Sequence, residues 1–281
     1  MLPDAMTRLL PPLRAALAAI VLSLSVLAVG ACSGDGDPLY VERPVEELYN
    51  QALNNLGQGN WYEAAIGFDE VERQHPYSVW ATKAQLMAAY AYYQNNLYDD
   101  AILAAERFIN LHPGNKDIAY AYYLVAISYY EQIVDVGRDQ ANTERALQSL
   151  EEVVRRFPNT EYARDARLKI DLARDHLAGK DMEIGRFYQR QNLYLAAILR
   201  YRAVVENYQT TSHVPEALMR LVECYLALGV VSEAETAAAV LGYNYPGSEW
   251  YLDAYNLLTG ENLYRGDGGG SWFSRTWNSV F

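Results

Sequence analysis

The stretch from Gln85 to Pro113, QLMAAYAYYQNNLYDDAILAAERFINLHP, sets out one structural unit from start to stop. Leu86, Ala89, Tyr90 and Tyr93 fall at i, i+3, i+4 and i+7, the spacing of one face of an α-helix. Asn96 and Leu97 then break the pattern with a small polar turn. Tyr98-Asp99-Asp100-Ala101-Ile102 opens a second helix, its acids placed where a helix N-terminus favours negative charge. Pro113 stands twelve residues after Ala101 and closes the unit, because proline cannot continue a helix.

The same phrasing recurs along the chain. Gly59-Asn60-Trp61-Tyr62-Glu63-Ala64-Ala65, Asn192-Leu193-Tyr194-Leu195-Ala196-Ala197-Ile198 and Gly229-Val230-Val231-Ser232-Glu233-Ala234 repeat the turn and the opening Ala. The twelve-residue interval to a closing Pro returns at Ala64–Pro76, Ala146–Pro158 and Ala234–Pro246, whereas Ala197 is followed at that distance by Gln209. Nothing alternates at period two for long enough to make a strand. The units resemble the tetratricopeptide repeat, with small residues at Ala89, Ala126 and Gly185 where first helices pack and Tyr92, Tyr129, Tyr188 and Tyr225 three residues on or at the matching place. The expected fold is therefore all-α, a superhelical solenoid of about five helix-turn-helix units over residues 44–265. Two departures stand out. Glu131 to Glu144 replaces a tight turn with a long loop, and Glu161 to Leu177 extends the fourth unit's first helix, with a bend expected at Gly179. Both fit partner contacts and neutral insertions equally well.

Composition agrees with an ordered binding protein. Of 281 residues, 51% are hydrophobic and 21% charged, so a sizeable core can be buried. A formal net charge of −12 argues against nucleic acid as a partner. The chain has 24 Tyr against 6 Phe, an unusual preference for amphipathic rings.

The first thirty-one residues form an address. Arg8 and Arg14 precede an apolar run from Ala15 to Val29, and Gly30-Ala31 lead to Cys32, the layout of a secretory signal ending in small residues. Small residues before a Cys at that place resemble the bacterial lipobox, which implies lipidation of Cys32; the plainer reading is an ordinary signal peptide with an incidental Cys. Several acyl chains hold a protein to a bilayer where one does not. By the sorting rule of such lipoproteins, Ser33 in place of Asp implies the periplasmic face of an outer membrane. Residues 32–43 are then a short tether.

Catalytic constellations are not found. HExxH, CxxC, GxGxxG and P-loop motifs do not occur. His75 and His112 occupy one repeat position, just before the closing Pro, so the repeat explains them better than a metal does. Cys224 lies in a helix among apolar neighbours and reads as a small buried hydrophobe. No cofactor, metal or enzymatic activity is expected.

The repeat resemblance implies an inner wall lined by the first helix of each unit. It would comprise Glu46, Tyr49, Leu53 and Leu56; Lys83, Leu86, Tyr90 and Tyr93; Tyr120, Tyr123, Ile127 and Tyr130. Units four and five would add Met182, Arg186, Gln189 and Arg190, then Glu216, Met219, Glu223 and Leu226. The wall is aromatic first and charged later. Of these, Tyr49, Leu53, Leu86, Tyr90, Tyr93, Tyr120, Tyr123 and Tyr130 are the candidate peptide-binding residues, since Tyr offers large contact area at little entropic cost. The competing reading packs about half of these rings into neighbouring repeats.

The phrases Gly59-Asn60-Trp61, Ala89-Tyr90-Ala91-Tyr92-Tyr93, Arg107-Phe108-Ile109 with His112-Pro113, Phe157-Pro158-Asn159-Thr160-Glu161-Tyr162, Asp175-His176-Leu177-Ala178 and Arg186-Phe187-Tyr188 together resemble the BamD family of outer-membrane β-barrel assembly lipoproteins. That resemblance implies docking on the periplasmic domains of BamA beside other assembly-complex lipoproteins. It also implies that the N-terminal repeats receive the C-terminal targeting strand of unfolded outer-membrane β-barrel proteins. Arg200 matches an Arg of the family that contacts BamA, although Leu199 replaces the Asn usual before it; Arg186 and Arg190 join it as candidate partner contacts. An adaptor for peptidoglycan or other envelope enzymes is the alternative function. After the Gly-rich linker 266–270, residues 271–281 carry Trp272, Phe273, Trp277 and Phe281. Trp277 and Phe281 are expected to dock on a partner or a membrane; packing on the last repeat and mimicry of a targeting strand are the other readings.

Overall fold

The computed structural model describes residues 42–260. Among them the regular structure is wholly helical: α1 Val45–Gly57, α2 Trp61–Gln74, α3 Val79–Gln94, α4 Tyr98–Leu111, α5 Ile118–Glu131, α6 Ala141–Arg156, α7 Glu161–Arg190, α8 Tyr194–Asn207, α9 Val214–Ala227, α10 Val231–Asn244 and α11 Glu249–Thr259. They form five successive pairs and an eleventh helix. This is the tetratricopeptide solenoid expected from the repeat.

The turn phrases have a common backbone cause. Gly59, Asn96, Asn192 and Gly229 all take positive φ, at +79°, +59°, +59° and +73°. The following residue then turns its N–H back across the end of the preceding helix: Asn60 to Asn55 O (2.9 Å), Leu97 to Tyr92 O (3.0 Å), Leu193 to Tyr188 O (3.0 Å) and Val230 to Tyr225 O (2.9 Å). This is the Schellman closure, which needs a residue that tolerates the left-handed region. The second helix of each pair also ends alike, with N–H bonds from His75, His112, Phe157, Tyr208 and Tyr245 to the carbonyl four residues back. Tyr208 does this without a proline near it, so Gln209 costs the fourth unit nothing in its ending. Ser78, Thr160 and Ser248 cap the helices that follow such closures, accepting from Ala81, Ala163 and Trp250 N–H.

Each helix packs on the next, and first helices meet first helices: α1 with α3, α3 with α5, α5 with α7, and α9 with α11. Close approach is bought with small residues. Ala89 and Ala126 are fully buried, and a Cβ on Gly185 would stand 2.5 Å from the ring of Tyr201. Phe68 and Phe108 fill the space between helices at 0% and 1% exposure, each burial stabilising by roughly 1.5–3 kcal/mol.

Both departures from the repeat are structured. The long loop is shorter than its sequence suggested, since α6 begins at Ala141, and residues 132–140 fold onto α7. Gln140 Nε2 donates to the carbonyls of Asp135 and Arg138 (both 3.1 Å), His176 Nε2 lies 2.6 Å from Val134 O, and Lys180 Nζ donates to Gly137 O at 3.1 Å. The helix α7 runs thirty residues without interruption, through the Gly179 at which a bend was expected. A Cβ there would sit 3.3 Å from His213 Nε2 and 3.5 Å from Val136 Cγ1. Gly179 thus makes room for the loop and for His213, the residue before α9. With its first half α7 packs on α6 through Ala166 and Ile170, and with its second on α8 and α9 through Ala178 and Met182.

Candidate peptide groove

Helices α3, α5 and α7 bring their rings to one place. Tyr162, at the start of α7, stacks on Tyr123 (centroids 5.2 Å, 30° between planes) and tilts against Tyr120 at 5.4 Å. Tyr93 lies 5.8 Å from Tyr98, and Tyr90 meets the edge of Trp61 at 6.5 Å. Burial raises the hydroxyl pKa of Tyr120 and, with the Asp165 hydrogen bond, that of Tyr123; burial and Glu131 push Tyr93 up to about 12. These three hydroxyls are held in the neutral form. Tyr123 donates to Asp165, which Lys169 holds at 2.8 Å, and the same ammonium lies 5.5 Å above the Tyr130 ring.

All eight candidate peptide-binding residues keep surface. Leu53 is exposed at 42%, and Tyr49, Leu86, Tyr90, Tyr93, Tyr120, Tyr123 and Tyr130 are half-buried. Tyr49 leans on Phe68 (5.4 Å) and Trp80 (4.8 Å), and it shares a cavity of about 460 Å³ with Lys83 and Leu86. At the other end, Tyr130, Glu131, Ile133, His176, Arg186 and His213 line a groove of about 750 Å³. Tyr122 and Tyr129 belong elsewhere, beneath Arg156 (5.1 Å) and Arg145 (5.9 Å).

The charged half of the expected wall needs correction. Met182, Met219 and Glu223 are buried at 0–1% exposure and are core, not lining, and so is Ile127 of the aromatic half, buried against α3 and α4. The backbones of α7 and α9 do not approach as closely as the other first-helix pairs, so long side chains span the gap. Arg186 Nε donates to Glu216 Oε1 at 2.9 Å, Gln189 Nε2 to Glu223 Oε2 at 2.8 Å, and Arg220 Nη1 to Glu223 Oε2 at 2.8 Å. Tyr201, wholly buried, donates to Gln189 Oε1 at 2.8 Å. Burial would raise the Glu216 pKa, but Arg186 and Arg220 outweigh it and hold that carboxyl below its usual range. Cys224 is buried as expected, its thiol pushed up to about 12 by burial and by Glu223.

Arg190 is exposed beside this network, on the same helix as Arg186. Arg200 is not brought to them. It lies on α8, 46% exposed, with Nη1 3.1 Å from Asp181 Oδ1. Cys32, Trp277 and Phe281 lie outside the described residues. Sequence reasoning missed Tyr162 and Arg220. The signal for Tyr162 was the double length of α7, which puts two stretches of one helix on the inner face.

The family described as "YfiO: Outer membrane lipoprotein" matches residues 41–241. The chain is 55% identical over 247 residues to a Caulobacter vibrioides protein named outer membrane protein assembly factor BamD, covering 88% of this chain and 81% of that one. The chain belongs to the YfiO family. A Rickettsia prowazekii protein of the same name is 47% identical over 83% of this chain and 92% of its own, and one from Neisseria meningitidis is 32% identical over 84% and 94%. Among solved structures, the tetratricopeptide domain of P58(IPK) overlies 75% of this chain and 54% of its own at a TM-score of 0.41 and 16% identity. Every residue named in the groove, from Tyr49 to His213, lies within the family match.

Proposed function

We propose that this protein is a scaffold for outer membrane protein assembly, held at the periplasmic face of the outer membrane by lipid on Cys32. Its role is binding, and the aromatic inner face is the surface that receives an unfolded β-barrel's C-terminal strand. The identity to proteins named as outer membrane protein assembly factors supports the assembly role. The half-buried rings of α3, α5 and α7, which keep open surface, support peptide binding there. Docking on BamA periplasmic domains is assigned to the α7–α8 side, where Arg200 is exposed. No helix among the described residues is long and apolar enough to cross a membrane.

Recovery of the tagged protein from solubilised outer membranes tests this reading. A β-barrel with tandem periplasmic domains should co-purify with the wild type. Arg200→Glu should weaken that recovery about ten-fold or more, because reversing an interfacial charge replaces attraction by repulsion. Recovery of a peptidoglycan amidase or synthase instead would overturn the assembly role. Undiminished recovery with Arg200→Glu would remove that arginine from the interface.

A further inference from the structure

Three arginines meet where α7 faces α9. Arg186, Arg190 and Arg220, with Gln189, line a cavity of about 190 Å³ in a chain whose formal net charge is −12. Among the described residues, the adjoining carboxylates do not balance them. Glu216 accepts from Arg186 at 2.9 Å and lies 3.4 Å from Arg220 Nε, and Glu223 accepts from Arg220 at 2.8 Å. Glu183, on the neighbouring groove, stands 4.0 Å from Lys180. Three guanidinium groups thus line a cavity held by two carboxylates, and Arg190 makes no ion pair among the described residues.

Two of the three are fixed in advance. Glu216 holds Arg186, and Arg220 lies against the Trp250 ring at 5.5 Å while bonded to the buried Glu223. A guanidinium has five N–H donors, so both retain donors beyond those their glutamates use. A planar anion with two oxygens matches such forks, and the aliphatic stems of three arginines give the cavity apolar walls. The volume suits one side chain with an anion attached close to it.

We propose that this cavity binds the free C-terminal carboxylate of a polypeptide whose last side chain is aromatic or aliphatic. A chain terminus brings the carboxylate and an apolar side chain on a single Cα, and only one strand has to leave the cavity. An acidic side chain inside a longer chain offers neither feature. Arg186 lines both this cavity and the 750 Å³ groove that reaches Tyr130, so the peptide runs from its carboxylate at α9 back toward the rings of α5 and α3. This inference rests on the reading of the inner face as a peptide groove and adds a direction to it.

The test uses the full chain and a fluorescent ten-residue peptide of alternating aromatic and polar residues ending in Phe, prepared as free acid and as C-terminal amide. Anisotropy titration should show the amide binding about ten-fold or more weakly, the effect of losing charge-assisted hydrogen bonds. Arg190→Gln should bring the free acid down to the level of the amide. Arg202→Gln, which removes an exposed arginine elsewhere on α8, should leave the gap intact. Equal affinities for acid and amide would overturn the carboxylate site while the peptide groove stands. Failure of both peptides to bind would overturn the groove itself and the site with it. An amidated peptide ending in Glu that matches the free acid and depends on Arg190 would assign the cavity to acidic side chains and overturn the terminus.

Discussion

At Gly185 the absence of a side chain is what lets Tyr201 of α8 pack against α7. Its missing Cβ admits the Tyr201 ring, whose hydroxyl bonds to Gln189, whose amide in turn bonds to Glu223. Gly185→Ala would place a methyl 2.5 Å from a ring that is wholly buried. We expect a loss of about 1–3 kcal/mol in denaturant unfolding, the range for overpacking a close-packed site. Gly57→Ala should change little, because its Cβ would meet nothing within 4 Å. Equal midpoints for the two variants would show that Tyr201 yields freely.

The turns after α1, α3, α7 and α9 depend on one backbone conformation. Glycine supplies it at two of the four positions and asparagine at the other two, the latter at a steric penalty that its short polar side chain offsets. Asn192→Ala should therefore cost about 1 kcal/mol, while Asn192→Gly should stay within a few tenths. Thermal melts of the pair decide it: similar losses for both would mean that the Asn192 side chain, which accepts from Tyr194 Oη at 2.9 Å, matters more than the backbone angle. At the same scale, α7 explains why the two departures from the repeat occur together. A helix twice the usual length leaves a flank that no second helix covers, and the 132–140 loop covers it through His176 and Lys180.

Across the whole molecule, the rings form one surface only because three units stack. Tyr90 and Tyr93 come from α3, Tyr120, Tyr123 and Tyr130 from α5, and Tyr162 from α7. Tyr90→Ala with Tyr123→Ala should weaken a peptide carrying a β-barrel targeting strand about ten-fold or more, as the loss of aromatic anchors does at other interfaces. Far-UV circular dichroism should stay helical, because both rings are half-buried and the alanine-rich helix contacts beneath them remain. Unchanged affinity would make the rings structural; a lost helical signal would show them to be core.

The repeat and the turns at Gly59, Asn96, Asn192 and Gly229 were legible in the sequence, because they rest on local facts; the start of α6 at Ala141 and the straight course of α7 through Gly179 were not. Gly, Asn and Pro set backbone angles within a few residues, and the apolar period marks each helix face. The small residues at Ala89, Ala126 and Gly185 were equally plain, since close helix packing tolerates little else. What the sequence left open was which wall residues face outward. Met182 shares helical register with Arg186 and Arg190 on α7, as Met219 and Glu223 do with Glu216 on α9, yet all three are buried, while Arg190 is exposed. That difference arises from the spacing between α7 and α9, which depends on the length of α7 and on how far its second half stands from the next repeat. Burial is a property of neighbours, and those neighbours are set thirty or more residues away.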